Sequence, residues 1–68
     1  MYNALLKKYE AEAAEAKATL YVYFNNPAGI GEHPGLIEEM DKLIGKLGDA
    51  NGKIETLKEN FNEEGMVR

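Results

Sequence analysis

Apolar residues return along this chain at alternating spacings of four and three. One series runs Tyr2, Leu6, Tyr9, Ala13, Ala16, Leu20 and Tyr23. A second runs Leu36, Met40, Leu43, Leu47, Ala50, Ile54, Leu57 and Phe61. That alternation lays each series along one stripe of an α-helix, the heptad seam by which two helices mesh. Between the series lies NNPAGIGEHPG, Asn25 to Gly35, with three glycines and two prolines, the strongest breakers of regular structure. The pattern predicts one domain over 1–68: a helix over about 2–24, a loop over about 25–33, a helix over about 34–64 and a tail over 65–68. Ala, Glu, Lys and Leu dominate the first run and are good helix formers. Pro34 suits a first helical position, Glu38 and Glu39 favour the positive end of the helix dipole, and Gly65 fits a C-terminal cap.

The two seams also match each other. If the chain folds back at the break, Tyr23 meets Leu36, Leu20 meets Met40, Ala16 meets Leu43 and Ala13 meets Leu47. The layers continue with Tyr9 on Ala50, Leu6 on Ile54 and Tyr2 on Leu57. The residue numbers in each layer sum to 59 or 60, so one register serves them all. Small residues face large ones, as close packing requires. Glu12 then lies near Lys46, and Phe24 near Ile37. The expected fold class is all-α: a two-helix antiparallel coiled-coil hairpin.

The outer faces do not suit an isolated hairpin. Gly45, Gly48 and Gly52 lie on the second helix away from the seam, where each costs about 1 kcal/mol against alanine. They are a tolerated cost, or mark a kink near Asn51-Gly52, or are small residues that admit another helix. Ala4, Ala11, Ala14, Ala18 and Tyr21 form a second stripe on the first helix, and Leu5, Val22, Phe24, Ile37 and Ile44 also fall outside the seam. Two helices cannot cover that much apolar surface, whereas a dimer forming a four-helix bundle can.

Length and charge sharpen this. Sixty-eight residues sit near the lower limit for folding alone. Such scaffolds usually need a disulfide, a metal or oligomerisation, and cysteine is absent. The net charge of −4, with Arg68 as the sole arginine, opposes broad nucleic-acid binding. The longest uncharged stretch, Ala18 to Gly31, is shorter than the roughly 20 residues of a membrane span and contains Asn25, Asn26 and Pro27. The N-terminal residues lack the apolar run of a signal peptide. A cytoplasmic protein, away from nucleic acid and membrane, is expected.

Most catalytic chemistry is struck out. There is neither Ser nor Cys, so the usual hydroxyl and thiol nucleophiles are missing. Thr19 and Thr56 remain, without a histidine nearby in sequence. One histidine cannot build a multi-His metal site, and the loop glycines lack the strand-to-helix setting of a phosphate cradle. Glu10, Glu12, Glu15, Glu38, Glu39, Glu55 and Glu59 fall outside the seam, as a solvated face does, and not inward as a di-metal bundle site requires. No catalytic residue, cofactor or metal site is expected.

The loop is longer than the roughly two to eight residues of most helix–helix connections. It reads as a rigid turn in which Ile30 plugs the end of the hairpin, or as a recognition loop in which Asn25, Asn26, Glu32 and His33 contact a partner. Candidate partner-binding residues are therefore Asn25, Asn26, Ile30, Glu32 and His33, with Ala11, Ala18, Gly45, Gly48 and Gly52 on the helices.

The string NNPAGIGEHP, Asn25 to Pro34, and the helix GLIEEMDKLIGKL after it resemble small helical hairpin proteins encoded by tailed phages of marine bacteria. The likeness covers about half the chain. It implies a phage or metagenomic source, a role inside an infected cell or in a particle, and no chemistry that can be carried over. The expected function is that of a non-enzymatic, self-associating helical interaction protein, a dimer that also docks a host or phage protein. The alternative is a small ligand- or metal-binding module centred on Glu32 and His33, where exposed N–H groups at a helix start hold an anion.

Overall fold

The computed structural model describes residues 1–25 and 35–64. Among these it is all-helical, with two helices and no strand. Helix α1 spans Tyr2–Asn25 and helix α2 spans Leu36–Asn60. At 1.5 Å of rise per residue each is about 37 Å long. The molecule is correspondingly elongated, 49 × 15 × 14 Å.

The ends of the helices follow from side chains that compete with the backbone. The Asn25 amide donates to the Tyr21 carbonyl at 2.8 Å, and the Asn60 amide donates to the Thr56 carbonyl at 2.7 Å. Each adds a side-chain donor to a carbonyl one turn back in its own helix. Asn25 therefore belongs to α1, not to the loop. Phe61 turns extended, with φ −137° and ψ 169°, while its N–H still donates to the Leu57 carbonyl at 2.9 Å. Asn62 then accepts the Glu64 N–H on its side-chain oxygen at 3.0 Å. With Phe61 extended and Asn62 taking the Glu64 N–H, α2 stops at Asn60, four residues before the expected end at Glu64. At the other end Gly35 is the cap residue, and its carbonyl accepts the Glu39 N–H at 2.9 Å. Glu38 and Glu39 lie in the first turn, as the dipole favours. Pro34, the expected first helical position, and Gly65 with the tail of 65–68 lie outside the described residues.

The helices run antiparallel. Leu5, near the start of α1, lines one groove with Leu57 and Phe61 at the end of α2. Ala16 lines another with Leu43 and Ala50. Ala16, Leu20, Ala50 and Leu57 are buried, and all belong to the expected seams. Every other expected seam member is half-buried except Phe61, which lies past the helix end and is exposed. The heptad reading therefore chose the right face of both helices. On the outer surface, salt bridges Lys7–Glu10 (3.7 Å) and Lys8–Glu12 (3.0 Å) brace the first turns of α1. Solvent screens exposed pairs of this kind, so they support the helix only weakly.

The core is thin. Among the described residues no large side chain is fully buried. The chain exposes 5286 Å², whereas a compact protein of 7.6 kDa exposes about 4,300 Å².

Candidate functional site

The groove linings fix which residues share a flank of the hairpin. A groove of about 300 Å³ is lined by Glu12, Glu15, Ala16 and Thr19 of α1 and by Leu43, Lys46, Asp49, Ala50 and Lys53 of α2. Beyond it toward the open end lies a second, of about 490 Å³, lined by Leu5, Tyr9, Gly48, Asp49, Gly52, Lys53, Thr56, Leu57 and Phe61. Leu5, Glu12 and Thr19 recur every seventh residue on α1, as Lys46 and Lys53 do on α2. One flank therefore carries both grooves.

That flank is charged. The Lys8 ammonium donates a hydrogen bond to the Glu12 carboxylate at 3.0 Å. This bond lowers the Glu12 pKa below its ordinary 4.5, against the opposing pull of desolvation and with further help from the charges of Lys8, Lys53 and Lys46. Glu12 and Lys46 line the same groove, as the register requires. The Lys53 ammonium sits 5.6 Å from the centroid of the Tyr9 ring. Thr19 is held to its own helix by a bond from its hydroxyl to the Glu15 carbonyl at 3.0 Å.

The other flank carries the residues at the complementary seven-residue steps. On α1 these include Lys17 and Phe24, with Tyr21 beside them. On α2 they include Ile37 and Ile44, with Asp41 beside them. Tyr21 is 68% exposed, Phe24 65%, Ile37 76% and Ile44 50%. Monomeric proteins rarely leave large apolar side chains clustered in this way.

The expected partner-binding residues divide into three groups. Asn26, Ile30, Glu32 and His33 lie outside the described residues. Asn25 ends α1 through its bond to Tyr21. Ala11 and Ala18 are exposed, a heptad apart, on the face of α1 turned away from α2. Gly45, Gly48 and Gly52 are also exposed, and a Cβ built on any of them meets nothing within 4 Å. Gly48 and Gly52 join the apolar groove beside Tyr9 and Leu57. The hairpin itself gives no reason for glycine at any of the three.

The site candidates taken from the sequence omitted Tyr21, Phe24, Ile37 and Ile44, although all four are visible there as apolar positions off the seam. The Lys53–Tyr9 contact carries no signal in either helix's own pattern, because it depends on register across the pair. Among the described residues no group of three or more His, Asp or Glu is placed to hold a metal ion. No described helix is long and apolar enough to cross a membrane.

Comparison of the chain with protein-family models, with curated proteins and with solved structures found no match.

Proposed function

We propose that this chain is a non-enzymatic helical interaction protein that self-associates, two hairpins forming a four-helix bundle. The observation that carries the reading is surface left uncovered. The chain exposes 5286 Å², about 1,000 Å² beyond the expectation for a compact protein of its mass. That excess is close to the roughly 800 Å² each partner contributes to a standard interface. Exposed apolar side chains sit on both helices, Tyr21, Val22 and Phe24 on α1 and Ile37 and Ile44 on α2, so a second hairpin is the natural cover.

Two further elements belong to the same reading. The loop motif supports a phage-encoded protein acting inside a bacterial host cell. A host or phage protein as additional partner then requires a surface that remains free in the dimer, and the charged flank has the hydrogen-bonding groups for it.

The test is thermal unfolding as a function of concentration. Dimerisation that stabilises only the folded chain raises the melting temperature with protein concentration. A melting temperature that is constant over a hundredfold dilution contradicts the proposal.

A further inference from the structure

Resting on the self-association reading, we infer that the two hairpins meet through the flank opposite the grooves, with their hinge ends together and α1 of each copy against α2 of the other. The residues on this flank recur at spacings of four and three, one stripe over from the seam. On α1 they are Lys17, Tyr21 and Phe24, and on α2 Ile37, Asp41 and Ile44. All six are exposed.

The four apolar members lie close to the hinge. Phe24 is the residue before the end of α1 and Ile37 the second of α2. Farther along the same stripes come Lys7 and Glu10 on α1 and Asn51, Glu55 and Lys58 on α2. An apolar patch confined to one end is covered only by something apolar at the same height. A twofold axis parallel to the helices brings a second copy's patch there. The reverse alignment sets the apolar patch against polar and charged residues, which lose solvation against it.

The same axis makes the charges complementary. It places α1 of one copy antiparallel to α2 of the other in nearly the register the hairpin uses internally. Lys17 of each copy then falls level with 42–43 of the other, beside Asp41, and Lys7 falls between Asn51 and Glu55. Glu10 meets Asn51, so no like charges oppose each other at these levels. Lys17, Asp41 and Glu55 make no salt bridge among the described residues, so an interface can use them. Opposite charges at matched positions set orientation and partner choice in this way.

An unmodified chain that sediments as a monomer at tens of micromolar overturns self-association itself, and with it this interface. Given a dimer, Ile37→Glu or Ile44→Glu weakens it by more than about a hundredfold, as loss of a central apolar anchor does. Val22→Glu, at a position on the groove side, leaves it unchanged. Equal effects at all three sites, or none, overturn the assignment of the face while leaving dimerisation standing. Lys17→Glu brings a second carboxylate up to Asp41 and weakens the dimer, and adding Asp41→Lys restores it. Two single swaps that add without rescue contradict the pairing. Helicity by circular dichroism is expected to stay unchanged throughout, because every altered position is exposed in the monomer. Alignment is read without touching the patch. The chain has no cysteine, so Glu38→Cys carries a spin label near the hinge. Pulsed electron resonance between copies should give a distance under about 25 Å, whereas full reversal separates the labels by about a helix length of 37 Å.

Discussion

The ammonium of Lys53 lies 5.6 Å from the centroid of the Tyr9 ring, a contact from α2 across the seam to α1. The pair spans the open half of the hairpin, where no loop holds the helices together. It therefore helps fix the register at the end farthest from the hinge. A cation over a ring at a partly exposed site contributes about 0.5–1 kcal/mol. A double-mutant cycle of Tyr9→Leu and Lys53→Met should give a coupling near that value in urea unfolding. Additive single effects would show that the two side chains are merely neighbours.

The thin core makes single truncations severe. Leu20 is buried, and Leu20→Ala should lower stability by about 2–5 kcal/mol. Small domains hold only a few kcal/mol in total, so this variant should lose cooperative unfolding altogether. Ala50 is 2% exposed, and Ala50→Leu should cost about 1–3 kcal/mol through overpacking. A stabilised Ala50→Leu would mean that the helices stand farther apart than the seam requires.

Glycine substitutions separate folding from pairing. A Cβ at Gly45, Gly48 or Gly52 meets open space, so Gly45→Ala and Gly52→Ala should each stabilise the hairpin by about 0.5–1 kcal/mol. Neither should affect dimerisation. Gly48 lines the groove with Tyr9 and Leu57, so Gly48→Ala should gain similarly and leave the dimer unchanged. Sedimentation and denaturant unfolding of the same three variants read the two effects apart.

The Glu12 carboxyl gives the hairpin a pH signature of known sign. Its folded pKa is depressed by the Lys8 hydrogen bond, with Lys53 and Lys46 adding to the effect. A depressed carboxylate stabilises the fold above its ordinary pKa of 4.5, and that contribution disappears as pH falls through the lowered value. The melting-temperature gap between the unmodified chain and Glu12→Gln should therefore be widest near neutral pH and close in acid. A gap that stays constant into acid would show that Glu12 acts through packing alone.

The seam was legible in the sequence because burial and helical period coincide. Ala16, Leu20, Ala50 and Leu57 each fall on the four-three series and each is buried. The stop at Asn60 was not legible, because the hydrophobic series continues unbroken to Phe61. What ends the helix is local: Phe61 turns extended, and Asn62 takes the Glu64 N–H on its side-chain oxygen instead of another turn. The candidate surface was legible only in part. Phe24, Ile37 and Ile44 stand out as apolar residues off the seam, but a helical wheel of one helix cannot say that they share a flank. That fact comes from the grooves on the opposite side, which put Leu5, Glu12 and Thr19 beside Lys46 and Lys53.

Sedimentation equilibrium of the unmodified chain bears most directly on the central claim, that two hairpins complete one core. The account predicts a mass of twice 7.6 kDa at tens of micromolar, falling toward the single-chain value on dilution. A well-folded helical chain that stays at 7.6 kDa over that whole range would contradict it.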